Sequence, residues 1–411
     1  MVVMKNTEEQ TIEQQQVKDT YKIAYILHFF LGAGNLLPWN AFITAIDYFA
    51  RLYPTKNVER VFSVAYMSSS LLILLVLVVR HVSLSRAGVQ ARASSLRLRM
   101  NIGFSMFILA MMVAPTIDWT HCRSTMPYKS FLLTGVSVVV CGLADGLIGG
   151  SLIGFAGQLP KEYMQAVFAG TASSGVLVSI LRVITKASLP ENQQGLKTST
   201  HFYFIVSAII LLICMICSNL LFTLPLIQNH YNQLNNQTNF PSTIKPKFRN
   251  TARKILGPTF GILSIYVVTL SIFPGFISDD NRKSRVLGDW YPILLIVVYN
   301  FSDLAGKSLT AVFIPSNKNI GKVIWACFGR VVFYPAFRVC LHGPRWLETD
   351  ASIVFLTFML GLTNGYLTSA LMILAPKSVT VVEAETVAVV MAVALGLGLV
   401  GGSVLGWLWV I

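Results

Sequence analysis

Asn300, Asp303 and Lys307 stand three and four residues apart in an otherwise apolar stretch. Residues at those spacings share a helical face, so Asp303 and Lys307 can pair, with Asn300 close beside them. Together they offer an acceptor, a cationic donor and an amide that does both, a set suited to a neutral polyol or the edge of a base. The apolar flanks, Pro292 to Val298 and Leu309 to Ile314, put these groups in the middle of a membrane-crossing helix. Each charge there costs roughly 2.5 kcal/mol or more, so it faces a bundle interior or a water-filled path and handles a polar solute. The other reading is a structural ion pair that locks this helix to a neighbour.

Two more places hold groups of chemical interest. Gly32-Ala33-Gly34-Asn35-Leu36-Leu37-Pro38-Trp39-Asn40 sets an indole and an amide in mid-span, where Trp39 either stacks on a flat ring or fills core. Asp145 lies among glycines and is costly unless paired; it reads equally as a gate, a proton-handling group or half of a structural pair. Arg182, Arg330 and Arg338 are candidate partners across helices, or they snorkel toward a membrane face. No phosphate loop with a Lys-Ser/Thr ending and no metal-spaced histidine cluster is present, so neither an enzyme nor a cofactor or metal site is expected.

The elements that must position these residues are transmembrane helices. With 54% hydrophobic and 12% charged residues in 411, the chain is too apolar for a soluble protein, whose charged share is about a quarter. Eleven apolar runs are long enough to cross the bilayer: near 21–49, 61–79, 100–117, 130–158, 163–185, 201–224, 257–278, 290–314, 320–341, 351–375 and 385–411. The first lacks a small-residue cleavage site and is expected to remain as a span rather than to be removed. With a cytosolic N-terminus the inner segments carry 17 Lys and Arg and the outer loops 11, which favours N-inside, C-outside. The net charge of +14 then reflects contact with anionic inner-leaflet lipid, and no nucleic acid is expected as a partner.

The one long hydrophilic connection, rich in Asn and Gln from Pro225 to Asn250, reads as a flexible linker without a core. It divides the chain into a cytosolic tail (1–20), a six-helix bundle (21–224), a cytosolic linker (225–256) and a five-helix bundle (257–411). Glycines every fourth residue at 142, 146, 150 and 154, and again at 398, 402 and 406, form bare ridges for close helix contact. Cys214 and Cys217 have redox spacing, but inside an apolar helix they are packing residues.

Several separate words, in order along nearly the whole chain, carry a family resemblance. They are Gly34 to Asn40, Asn300 to Phe313, Thr363-Asn364-Gly365-Tyr366-Leu367, and Pro376-Lys377 followed by Glu383-Ala384-Glu385-Thr386. In these the chain resembles the equilibrative nucleoside transporters, most of all the plant branch. The resemblance implies an all-α membrane protein of eleven helices in a six-plus-five, major-facilitator-like arrangement, carrying purine and pyrimidine nucleosides by alternating access. It places Trp39 and Leu36 against the nucleobase with Leu399 nearby, Asn300 close to the nucleoside, and Asp303 with Lys307 at the ribose hydroxyls. Many animal members have Arg at the Lys307 position, so the charge is kept and the bidentate fork is lost. Many members also carry a base-contacting Gln where this chain has Gly149, which removes an amide from the implied site.

Two alternatives stand beside this reading: a major-facilitator carrier of another solute such as a sugar or organic anion, and a membrane scaffold or receptor without transport. Passive facilitation and proton symport both fit, with Asp145 or Asp303 able to carry a proton. The plasma membrane is the expected location, with vacuolar or other internal membranes as the alternative.

Overall fold

A computed structural model describes residues 19–54, 56–84, 89–120, 127–190, 192–239, 248–273, 288, 290–342 and 349–406. Among them the regular structure is helical, without strands. Eleven helical segments are long and apolar enough to cross a membrane, from Ile23–Thr44 to Glu383–Leu405, and each falls on one of the expected runs.

The first bundle comprises α1 (Ile23–Thr44), the short α2 (Ile46–Leu52), α3 (Val58–Leu84), α4 (Val89–Trp119), α5 (Pro127–Gln158), α6 (Lys161–Ser188) and α7 (Gln193–Leu221). After α8 (Pro225–Asn239), the second comprises α9 (Phe248–Ile272), α10 (Tyr291–Val312), α11 (Ile320–Gly329), α12 (Phe333–His342), α13 (Asp350–Lys377) and α14 (Val381–Leu405). The bundles meet along two seams, α6 against α10 and α14 against α3 and α5. A polar side chain on one of these seam-facing helices can therefore bridge the two halves.

Within the first bundle the glycine ridge of α5 lets it close on α3. A Cβ on Gly142 or Gly146 would strike the Tyr66 or Ser70 carbonyl of α3, so only hydrogen fits at this crossing. Cys214 and Cys217 are reduced and buried, as expected of packing residues.

Two segments depart from expectation. The supposed linker is helical over Pro225–Asn239: Pro225 opens it at the position where a missing N–H costs nothing. Ile227 is fully buried, and Tyr231, one turn on, stacks on Phe155 with ring centroids 5.9 Å apart. Apolar residues four apart give this polar helix a docking stripe that composition alone conceals. The expected span over 320–341 is broken by a 3-10 turn at Arg330–Val332. Pro335 lacks the N–H that would bond Val331, and its ring crowds that carbonyl, which accounts for the break. There Arg330 turns inward and is 3% exposed.

Candidate functional site

The Asp303–Lys307 pair forms: Lys307 Nζ lies 2.8 Å from Asp303 Oδ2, with side-chain exposures of 4% and 10%. Each member is also tied to a different helix. Lys307 donates to Thr171 Oγ1 of α6 at 3.2 Å, and Asn364 Nδ2 of α13 donates to Asp303 Oδ1 at 2.8 Å. Asn364 reaches that oxygen because Gly361 and Gly365 flank it: a Cβ on either would meet the α10 main chain, at Tyr299 and at Asp303. The glycines allow the two backbones to close up, and the amide between them projects into the contact.

The network continues past Asn364. Its Oδ1 accepts from Thr269 Oγ1 at 2.9 Å. Arg330 donates to Thr269 Oγ1 at 2.9 Å and to the Leu360 and Ile265 carbonyls at 3.0 and 3.1 Å. Arg330 Nε is buried without a partner. The buried cluster thus holds two cations and one carboxylate, an arrangement stable only while its hydrogen bonds are filled.

Asn300, expected beside the pair, points across the seam instead. Its Nδ2 donates to Ser179 Oγ at 2.8 Å and to the Gly175 carbonyl at 3.2 Å, both on α6. Asn40 of α1 donates to Ser174 Oγ at 2.8 Å. Helix α6 therefore presents a polar strip, Thr171, Ser174 and Ser179, that takes one bond from α1 and two from α10. Sequence reading missed this strip, although the recurrence of hydroxyls at helical spacing is visible in Thr171-Ala172-Ser173-Ser174 and Ser179.

The other expected residues sit around this centre. Trp39 is 7% exposed and packs against Tyr66 with ring centroids 4.9 Å apart and the planes inclined at 45°, bordering a small cleft with Phe42, Ile43, Phe62 and Ile296. Leu36 and Leu399 are half-buried and pack on the core. Gly149 faces α1, where an added Cβ would come 3.1 Å from Asn35 Nδ2; Asn35 Oδ1 is buried without a partner. Asp145 accepts from Ser70 Oγ at 2.7 Å, with Tyr66 as its other polar neighbour. Neither of its candidate arginines, Arg182 and Arg330, reaches it: Arg182 pairs with Asp47 of α2, and Arg330 belongs to the cluster above. Arg338, the third candidate, is exposed and makes no hydrogen bond or ion pair among the described residues.

A cavity of about 1030 Å³ opens where α1 and α6 end and α10 begins, its floor including Ser179 and Ile296. Of the expected site residues only Arg182 lines it. At the opposite end the bundles are closed. Gln158 Nε2 donates to Glu385 Oε2 and Lys377 Nζ to the Leu159 carbonyl, both at 2.5 Å. His230 of α8 lies against Gln158 at 3.5 Å; burial, then the Lys377 charge, holds its imidazole below the usual range, so it is neutral at pH 7.

A family model described as "Nucleoside transporter" matches residues 135–242 and 230–411. The chain is 54% identical over 404 residues to "Equilibrative nucleotide transporter 8" of Arabidopsis thaliana, covering 98% of this chain and 99% of that one. It is 45% identical to "Equilibrative nucleotide transporter 1" of the same plant, over 96% and 87% of the two chains. Among solved structures, the major-facilitator proton:xylose symporter XylE superposes with a TM-score of 0.62 at 13% identity, over 95% of this chain and 89% of that one. A bacterial ferroportin homologue gives 0.55 at 13% identity, over 94% and 91%. At these identities the likeness is one of fold.

Proposed function

We propose that this chain, which belongs to the nucleoside transporter family, carries purine and pyrimidine nucleosides by alternating access, with Asp303 and Lys307 as the ribose-binding groups. The observation that carries this reading is the buried pair itself. Its carboxylate and ammonium are each bonded to a neutral side chain on a different helix, Asn364 and Thr171. Ribose hydroxyls can replace the Thr171 and Ser179 hydroxyls, so that opening the α6 and α10 seam exchanges protein bonds for substrate bonds at little net cost.

In this scheme Trp39 and Leu36 flank the base from α1, with Leu399 across from them on α14, and Asn300 leaves Ser179 to meet the nucleoside. Gly149 leaves the base edge without the amide that many relatives supply. Arg182 with Asp47 gates the open mouth, and Asp145, held only by hydroxyl neighbours, is the group suited to take up a proton. Support for alternating access comes from the unequal ends: one holds a wide cavity and the other is sealed by Gln158, Leu159, Lys377 and Glu385. Taking the N-terminus as cytosolic puts the open end outside, in a plasma membrane or, alternatively, an internal membrane.

The test is uptake of radiolabelled uridine by cells expressing the chain, with and without excess unlabelled adenosine. Saturable uptake suppressed by adenosine is expected; an absence of uptake by a chain that reaches the membrane overturns the reading.

A further inference from the structure

The contact between α4 and α7 carries a polar knot on a face that otherwise meets lipid. Asn219 Nδ2 of α7 donates to Asn101 Oδ1 of α4 at 2.8 Å, and Asn101 Nδ2 returns a bond to Asn219 Oδ1 at 3.2 Å. Asn219 Nδ2 is held further by the Met215 carbonyl at 2.9 Å, and its Oδ1 accepts from Arg97 Nε at 2.8 Å. Two braced amides thus aim one arginine. Bonding through Nε sets the plane of the guanidinium and leaves its Nη edge, a fork of parallel donors, pointing away from the amides. Arg97 is exposed, and that edge makes no hydrogen bond or ion pair among the described residues. Its own helices offer no counter-charge nearby: α7 contains no Asp or Glu, and the single carboxylate of α4, Asp118, stands at the opposite end, about 30 Å away at 1.5 Å per residue.

The surroundings select the partner. Arg97 and Asn219 lie where the spans Ser94–Trp119 and Gln193–Leu221 begin and end, the depth of phospholipid headgroups. Exposed Leu98 and Ile102 of α4, with Leu212, Ile216 and Leu220 of α7, flank the seam on its way into the hydrocarbon. We propose that the seam between α4 and α7 holds one anionic phospholipid, its phosphodiester on the Nη fork of Arg97 and its acyl chains along these apolar flanks. The two free oxygens of a phosphodiester match a guanidinium fork as a point charge does not. The site stands apart from the nucleoside-carrier reading and does not depend on it. The N-inside orientation assigns it to the cytosolic leaflet, where anionic lipids concentrate.

The full chain purified in detergent is titrated with phosphatidylglycerol and, separately, phosphatidylcholine of the same acyl chains, and bound lipid is counted by native mass spectrometry. The wild type is expected to hold phosphatidylglycerol more tightly, and Arg97→Gln to hold it at least about fivefold less tightly, as one arginine at a charged headgroup requires. Arg97→Lys and Asn219→Leu both keep a cation at position 97. Each should still weaken binding about threefold or more, the first by losing the fork and the second by losing its aim. Lys322→Gln, which removes an exposed cation from the second bundle, should bind as the wild type does. Elution as a single species with the wild-type helical signal shows that a variant is folded; should Asn219→Leu fail this, Arg97→Lys decides alone. Equal affinity of the wild type for the two lipids, or unchanged binding in Arg97→Gln, overturns the site. An equal loss in Lys322→Gln overturns it in favour of diffuse charge, and full binding by a folded Arg97→Lys or Asn219→Leu overturns the aimed fork. Inorganic phosphate that displaces phosphatidylglycerol at equal concentration overturns the lipid assignment, since the acyl chains then contribute nothing.

Discussion

Asn364 and Lys307 hold opposite oxygens of one carboxylate: the amide of α13 donates to Asp303 Oδ1 at 2.8 Å and the ammonium of α10 lies 2.8 Å from Oδ2. Behind Asn364 stand Thr269 and Arg330. A change of charge at Asp303 is therefore felt by two cations, and the second is visible only in three dimensions.

Asp303→Asn leaves Lys307 and Arg330 buried together without a carboxylate, and transport of uridine should fall at least about tenfold, the equivalent of roughly 1.4 kcal/mol. Asp303→Asn with Lys307→Gln returns the cluster to its original net charge. A purely structural pair would then regain much of its folding and transport. The double variant is expected to reach the membrane and still fail to carry uridine; near-normal uptake would leave the pair with a packing role only.

If Asp145 takes up a proton during transport, uptake should rise as external pH falls, collapse with a protonophore, and lose its pH dependence in Asp145→Asn. The variant keeps an acceptor for Ser70, so the fold should tolerate it. Uptake that is flat from about pH 5.5 to 8, a window above an unperturbed Asp but within reach of a buried one, leaves facilitated diffusion.

Gly149→Gln should alter the ranking of adenosine, uridine and cytidine by the order of 1 kcal/mol, the worth of one hydrogen bond. The added side chain meets Asn35, whose buried Oδ1 has no partner, so the same amide can be captured inside the protein. A folded variant with unchanged ranking would mean that Asn35 holds it and that the position does not serve the base.

Asn236-Gln237-Thr238 is an acceptor pattern for N-glycosylation. With the N-terminus cytosolic, α8 is cytosolic too and the site should stay unmodified. A glycosidase-sensitive mass shift abolished by Asn236→Gln would invert the proposed topology.

What could be read in the sequence was what lies within one helix. Apolar runs of twenty residues locate the spans because the bilayer sets their length, and Asp303 with Lys307 is legible because four residues is one helical turn. Partners on other helices were not legible: Asn364 lies 61 residues from Asp303, Thr171 lies 136 from Lys307, and Ser70 lies 75 from Asp145. The words around Asn300 and Asn364 were recognised, but nothing in them shows that one amide turns to the α6 hydroxyls while the other turns to a carboxylate. Helix α8 was missed because its stripe is two residues deep in a run of Asn and Gln.

The bonds that seal the closed end, Gln158 to Glu385 and Lys377 to the Leu159 carbonyl, also bear on kinetics. Each involves a charged group and contributes roughly 1.5 to 3 kcal/mol, so unless the opposite conformation gains as much, the empty carrier rests with its cavity open. Return of the unloaded protein to that state is then faster than its departure. Where reorientation limits turnover in a passive carrier, flux entering from the cavity side reaches a higher maximum than flux in reverse, with a KM raised in the same proportion. The ratio of maximum rate to KM stays equal in both directions, because net movement must vanish at equal concentrations. The sealed end makes the protein a one-sided conductor in rate while leaving it neutral in equilibrium.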